Sequence, residues 1–224
     1  MTPSPRWLLA LHSSTAELGV GVRQLDGARP DCIVTFPLGR GLSNQLLSCV
    51  EQVLPAAHWP ELGRLAVATG PGGFTGTRLT VVMARTLAQQ LQLPLDGVGS
   101  FLLVARRLGL VEPTWLVQEL PRRGLVAGLY GPGPRAGGRA GDGCAGDVGG
   151  GDGGEVVEWR APRLHADATS LAAIHPAPRR PAEVAVAADV AALLAIAHRA
   201  HQGGQPAPWQ PVLPHYPTSP VGAS

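Results

Sequence analysis

The first forty residues alternate between short apolar runs and turn residues, a pattern typical of consecutive antiparallel strands. Residues 8–11 are apolar throughout, residues 17–25 alternate apolar and polar positions, and residues 31–37 form a third candidate strand. Asp26-Gly27 and Arg29-Pro30 mark the turn between the second and third strands. Turn residues at these places predict an antiparallel meander, because tight turns join strands that reverse direction.

Helical periodicity follows. Residues 43–54 carry leucines and valines at helical spacing, and Pro55 ends the pattern. Residues 64–69 are a short apolar strand that enters a glycine loop at residues 70–76. A second helix runs from this loop to Pro94, and a strand at 95–98 and a helix at 100–108 follow.

The rest of the chain repeats the order of strands and then helices. Strands are predicted at 114–119, 125–130, 155–159 and 183–187, and helices at 169–174 and from Asp189 to about 201. Twelve of the 24 residues in 131–154 are glycine, so we expect a disordered insertion there. The pattern predicts an α/β chain of two similar halves, residues 1–99 and 100–224.

Composition removes several function classes. The chain has 224 residues, 45% of them hydrophobic, which is enough for a core, and all 18 basic residues are arginine. Without lysine there is no Schiff-base chemistry and no lysine-bearing phosphate loop. Cys32, Cys49 and Cys144 have neither disulfide nor zinc spacing. This cysteine pattern fits a reducing environment, so we expect a cytoplasmic protein. The longest apolar stretch has 14 residues and includes Asp189, so we expect no membrane-spanning segment.

The glycine loop is the most informative segment for chemistry. Backbone amides at the start of a helix favour an anion, so the loop could bind phosphate. However, Thr77 and Arg78 follow Gly76, where a phosphate loop needs lysine and then serine or threonine. The glycine spacing also has one residue too many for a dinucleotide fingerprint. Phosphate binding and a tight turn for close helix packing both stay open, and the turn is favoured.

The other candidate catalytic and binding motifs do not indicate a function. No nucleophile elbow is present, and His198 and His201 lie three residues apart without the glutamate of a zinc-protease helix. The pairs Arg122-Arg123 and Arg179-Arg180 are isolated, and we interpret them as surface residues, with an RNA phosphate contact as the alternative. We therefore predict no catalytic residue and no metal ligand.

Two segments resemble a known family. Residues 9–15, LALHSST, resemble the opening strand and turn of the TsaB (YeaZ) family, with His12 where that turn usually has aspartate. Residues 70–78, GPGGFTGTR, are close to the family signature GPGSFTGxR. The signature positions are Gly70, Pro71, Gly72, Gly73, Phe74, Thr75, Gly76 and Arg78. The resemblance covers residues 7–108 and is weak beyond them.

The resemblance implies an actin/Hsp70-like ATPase fold of two RNase H-like halves, with mixed sheets flanked by helices. It implies a non-catalytic scaffold that pairs with a TsaD-like transferase in forming threonylcarbamoyladenosine in tRNA. A TsaE-like ATPase would act on that complex, tRNA would be contacted only indirectly, and a homodimer is an alternative assembly. The chain would need no cofactor of its own. Glycoprotease-like (M22-like) naming also occurs in this family, but no protease machinery is present here.

The family's dimer surface consists of helices of the N-terminal half, which predicts an interface on two helices here. The candidate residues are Leu42, Leu46, Leu47, Val50, Leu79, Val82, Met83 and Leu87. Each could instead face the core, since an amphipathic helix buries one face anyway. Val81 and Ala84, off the main stripe, favour a second buried face. The rival function is an actin-like-fold small-molecule kinase or ATPase that binds phosphate at Gly70–Gly76, which would need an acidic residue in place of His12.

Overall fold

The computed structural model describes residues 6–133 and 155–218. Residues 134–154, most of the predicted glycine-rich insertion, lie outside this range. The chain divides into two compact units, the first made of Met1–Leu103 and Val184–His215 and the second of Val104–Glu183 and Tyr216–Ser224. This division differs from the predicted boundary at residue 99, because Val184–His215 packs with the N-terminal unit.

The first unit is a five-stranded mixed sheet in the order β3-β2-β1-β4-β5. Its strands are β1 (Trp7–His12), β2 (Leu18–Gln24), β3 (Cys32–Phe36), β4 (Leu62–Ala68) and β5 (Leu95–Val98). The first three strands pair antiparallel, which confirms the predicted meander, and β4 pairs parallel to β1 and β5. The central strand β1 is buried on both faces, which explains its continuous apolar run.

The described residues include five α-helices. They are α1 (Leu42–Val53), α2 (Phe74–Leu91), α3 (Ser100–Leu108), α4 (Ala168–Ile174) and α5 (Val186–Gln202), and short 3-10 turns occupy Gly39–Gly41 and Ala56–Glu61. Side chains alternate across β1, so Leu9 and Leu11 pack with α1 and α2 on one face. Leu8 and Ala10 pack with α5 on the other face. The first unit therefore has three layers, with the sheet in the middle.

The second unit is a four-stranded sheet in the order β8-β7-β6-β9. Its strands are β6 (Thr114–Leu120), β7 (Gly124–Pro132), β8 (Val156–His165) and β9 (Arg179–Pro181). The first three pair antiparallel, and β9 pairs parallel to β6. Helix α4 covers one face of this sheet, where Leu171 meets a cluster of buried residues from β6 and β7.

Two predictions in the second half are wrong. The predicted strand at 183–187 is absent, since β9 lies at Arg179–Pro181 and α5 already begins at Val186. Asp189 is also not the first residue of the last helix, which begins at Val186. It lies buried in the first turn, and its carboxylate accepts a hydrogen bond from the Ala185 N–H at 2.9 Å. The sequence around Val184 alternates valine and alanine, which fits a strand and a buried helix equally well.

Residues 205–218, which follow α5 and are rich in proline, form neither a helix nor a strand and lie along the edge of the first sheet. Leu95 N–H donates to the Ala207 carbonyl at 2.8 Å, and His215 N–H donates to the Thr69 carbonyl at 2.7 Å. Val212 is buried against the core. Pairing of this kind protects an edge strand, which would otherwise present unpaired backbone groups. Within residues 6–133 and 155–218, no helix has the length and apolar character to cross a membrane.

Candidate functional site: the glycine loop and the outer faces of the helices

The predicted glycine loop, residues 70–76, is shorter in the structure, because α2 already begins at Phe74. Residues 69–73 join β4 to α2 and pack directly on the turn after β1. Gly73 N–H donates to the Ser14 carbonyl at 2.7 Å. A Cβ at Gly72 would overlap the backbone of Ser14, and one at Gly76 would lie 2.7 Å from the Ser13 carbonyl oxygen. Close packing between two backbone segments therefore accounts for these glycines, in agreement with the favoured interpretation of the loop.

Buried hydroxyl groups hold the same region together. Ser13 Oγ and Thr80 Oγ1 lie 2.9 Å apart, which joins the turn to α2. Ser14 Oγ lies 2.5 Å from Ser100 Oγ, and Ser100 N–H donates to the Gly70 carbonyl at 2.8 Å. The turn, the loop and the start of α3 thus form one hydrogen-bonded cluster. Sequence reasoning missed Thr80 and Ser100, because only the tertiary structure brings them to the turn.

His12 ends β1 beside this cluster and is fully buried. Its side chain lies on the same face of the strand as Leu8 and Ala10, and its Nδ1 accepts a long hydrogen bond, 3.5 Å, from Ser14 N–H. Burial lowers the pKa of His12 from 6.5 to about 4, since the apolar surroundings disfavour the charged ring. His12 is therefore neutral at physiological pH, and the proton lies on Nε2, for which the described structure offers no acceptor.

These groups do not fit a nucleotide with its magnesium ion. Mg²⁺ prefers hard oxygen ligands, and a neutral imidazole stands where a carboxylate would be needed. The Gly73 amide, which could have faced a phosphate, is already bonded to Ser14. Among residues 6–133 and 155–218, no group of three or more His, Cys, Asp or Glu side chains is placed to hold a metal ion.

The predicted interface residues fall into three classes of burial. Leu42, Leu46 and Val50 are core residues, between 0% and 8% exposed. Leu79, Met83 and Leu87 are partly buried against that core. Leu47 and Val82 are exposed, at 53% and 52%. Of the eight predicted residues, Leu47 and Val82 are therefore the most accessible to a partner, whereas the first three are already buried in the core.

The exposed positions identify which side of α2 faces outward. The buried stripe of α2 consists of Thr77, Thr80, Val81, Ala84 and Ala88. The prediction that Val81 and Ala84 lie off the main stripe and form a second buried face is therefore wrong, because they belong to the stripe that packs on the sheet. The outer side carries Val82, and Phe74 at the start of the helix is 42% exposed. Leu47 on the neighbouring helix α1 is also exposed, and we use the name outer apolar face for these three exposed apolar side chains.

The remaining histidines and cysteines considered as candidates do not form a site among the described residues. His198 Nε2 donates to the Leu25 carbonyl at 3.0 Å, so it joins α5 to the end of β2. The pKa of His201 is lowered by partial burial and by the neighbouring charges of Arg64 and His198. Cys49 is buried and Cys32 is exposed, and Cys144 lies outside the described residues.

Comparisons with known proteins identify the relatives of this chain. The family model described as "TsaD: tRNA N6-adenosine threonylcarbamoyltransferase" matches residues 38–121. The tRNA threonylcarbamoyladenosine biosynthesis protein TsaB of Bacillus subtilis (strain 168) is 32% identical over 130 residues, which are 55% of this chain and 54% of the relative. The match thus spans about half the length of that curated protein.

Solved structures match over nearly the whole chain. YeaZ from Pseudomonas aeruginosa superposes with a TM-score of 0.62 and 22% identity, covering 94% of this chain and all of that one. A structure described as an uncharacterized protein with similarity to peptidase YeaZ from Pseudomonas aeruginosa gives 0.65 and 21%, covering 95% of this chain and all of that one. The expected α/β fold of the actin-like ATPase type, with mixed sheets flanked by helices, is confirmed. The chain is therefore a relative of the TsaB (YeaZ) proteins, and it has their fold.

Proposed function

We propose that this chain is the non-catalytic subunit of a cytoplasmic complex in which a TsaD-like transferase forms threonylcarbamoyladenosine in tRNA. The name of the Bacillus subtilis relative and the description of the matching family model both point to this modification. In this proposal the chain supplies a surface that organises its partner. A TsaE-like ATPase would act on the pair, and the chain would use no cofactor of its own.

The closed glycine loop is the observation that carries the non-catalytic role. A phosphate site at a helix start needs free amides and open space in front of them. Here Ser14 fills the space at Gly72 and accepts the Gly73 N–H. A kinase or ATPase of this fold would also need a carboxylate at the first turn, where the buried, neutral His12 stands. The rival function therefore has little support in the geometry.

The outer apolar face is the observation that supports binding of a partner protein. Leu47 and Val82 are among the few large apolar side chains that the described residues expose, and they lie on two helices packed side by side. A side chain of this type that is half exposed leaves roughly 1 kcal/mol of burial free energy to be gained on association. Exposed apolar side chains that group on one surface are typical of protein contacts. We place the TsaD-like subunit on this face, and self-association through it is the alternative.

The test is association with the TsaD-like protein of the same organism, followed by a threonylcarbamoyl-transfer assay with and without this chain. Leu47→Glu and Val82→Glu should each weaken association by about 100-fold, or about 2.7 kcal/mol, since the new carboxylate would be buried unpaired in the complex. Both variants should stay folded, because these side chains are half exposed in the free chain. Val111→Glu, at an 88% exposed position of the second unit, is the matched control and should bind normally.

Three results would contradict the proposal. Normal binding by both variants would place the partner on another surface. Full transferase activity without this chain would remove the scaffold role. A micromolar dissociation constant for Mg-ATP, measured by calorimetry on the chain alone, would favour the kinase or ATPase function.

A further inference from the structure

The second unit gathers on one face arginines that are far apart in the sequence. Across the strands, Arg160 of β8 pairs with Leu129 and Arg163 pairs with Ala127. On the other edge, Arg179 of β9 pairs with Trp115. Directly paired residues point to the same face of a sheet.

That face is the one covered by α4. The pairing residues Leu129, Ala127 and Trp115 all belong to the apolar cluster beneath this helix. The three arginines therefore flank α4, with Arg160 and Arg163 on one edge of the sheet and Arg179 on the other. Three strand spacings separate the two edges, about 14 Å.

In the part of the chain that the structure describes, these arginines have no carboxylate partner. All three are exposed, and among the described residues none of them forms an ion pair or a side-chain hydrogen bond. By contrast, Arg23, Arg64 and Arg106 pair with Asp31, Asp96 and Glu155, respectively. Arginines that stabilise this chain thus have carboxylate partners nearby, whereas those on the α4 face present free guanidinium groups.

An aromatic ring lies beside them. Trp159, next to Arg160 at the irregular part of β8, is 44% exposed. Its indole N–H donates to the Pro132 carbonyl at 3.2 Å, and its ring meets His175 edge-on at 6.1 Å between centroids. These two contacts hold the ring in place while part of it stays open to solvent.

Among residues 6–133 and 155–218, the nearby carboxylates have other positions or other partners. Glu158 accepts a hydrogen bond from the hydroxyl of Tyr130 at 3.0 Å, which places it on the opposite face of the sheet. Asp167 caps α4 through the Ser170 N–H at 2.9 Å. Glu119 lies on the same face of the sheet as the arginines. It is four residues beyond Trp115 on β6, which places it about 13 Å along the strand from the level of Arg160 and Arg179.

We propose that this arginine face (Trp159, Arg160, Arg163 and Arg179) binds the phosphate backbone of RNA, with Trp159 stacking on an unpaired base. Free guanidinium groups neutralise phosphates, and bases stack on exposed aromatic rings. An acidic protein surface is the alternative occupant of these arginines, and the experiment below distinguishes it from RNA. If the proposed function holds, the RNA is the tRNA substrate, which this chain then contacts directly rather than only through its partner.

The experiment measures binding of a fluorescently labelled tRNA transcript to the full chain by anisotropy, over a series of salt concentrations. The double variant Arg160→Gln/Arg163→Gln should bind at least tenfold more weakly, and the slope of log affinity against log salt should fall by about two, one for each lost phosphate contact. Arg179→Gln tests the opposite edge and should reduce the slope by about one. Trp159→Leu should weaken binding about tenfold with an unchanged slope, because stacking releases no counterions.

Arg29→Gln/Arg40→Gln, at exposed positions of the first unit, is the matched control and should behave as the wild type. Wild-type affinity and slope in the double variant, or no RNA binding at low salt, would overturn the proposal. Loss of binding to the TsaD-like protein with RNA binding intact would also overturn it, since the face would then dock an acidic protein surface. Failure of the TsaD-like protein to bind, with the RNA results as expected, would contradict the proposed function alone.

Discussion

Protonation of His12 should destabilise the fold in mildly acidic solution. The side chain is fully buried, and its pKa falls from 6.5 in the unfolded chain to about 4 in the folded one. Between these two pH values the unfolded chain binds a proton that the folded chain does not. The free energy of unfolding therefore decreases as the pH falls from 6.5 towards 4. The stability that depends on a neutral His12 is fully present only above pH 6.5.

The size of the effect follows from the shift. Each pKa unit corresponds to about 1.4 kcal/mol, so His12 accounts for a loss of about 3 kcal/mol by pH 4. That is a substantial part of the roughly 5–15 kcal/mol that stabilises a typical domain. Since desolvation is the cause, a side chain that stays neutral at this position should abolish the contribution.

The assay is urea unfolding followed by circular dichroism at several pH values between 7.5 and 4. His12→Asn keeps a hydrogen-bond acceptor for the Ser14 N–H but does not titrate. The wild type should lose about 3 kcal/mol more than this variant over the range. Val190→Ala, on the same face of the sheet, is the control and should lower stability equally at every pH. Parallel curves for the wild type and His12→Asn would refute the argument, because His12 would then titrate alike in both states.

Two further substitutions test the packing of the first unit. Gly72→Ala should lower the free energy of unfolding by about 1–3 kcal/mol, since the new Cβ overlaps the Ser14 backbone, and the urea midpoint should fall accordingly. An unchanged midpoint would mean that the loop has room to move. Asp96→Ala should cost about 3–5 kcal/mol, because it leaves the guanidinium of Arg64, 3% exposed, without its carboxylate. A thermal melt reports the loss, and Asp31→Ala, at the more exposed pair with Arg23, should cost clearly less.

The local pattern of apolar, polar and turn residues was sufficient to predict much of the fold. The meander of β1 to β3 and the helix after the glycine loop are set by alternation, turn residues and helical spacing, which act within a few residues. The signature at Gly70–Arg78 also indicated the family. The tight turn could be favoured over a phosphate site from the sequence alone. The residues after Gly76 are not those of a phosphate loop, and the glycine spacing is not that of the dinucleotide fingerprint.

The sequence did not determine which side of an apolar helix is buried. In α2, leucine, valine and methionine occur on more than one side, so periodicity does not select the buried stripe. The structure buries Thr77 and Thr80 and leaves Val82 exposed, because the Thr80 hydroxyl bonds Ser13 and the adjoining small residues allow close contact with the sheet. The same ambiguity hid the start of α5, where a buried helix and a buried strand have similar composition.

The arginine face depends on tertiary structure entirely. Arg160, Arg163 and Arg179 are spread over twenty residues and form no run of charge in the sequence. The pairing of β8 with β7 and of β9 with β6 directs all three to one face. Periodicity along a chain reports which residues share one side of one element, but the register between strands decides which residues of different elements meet.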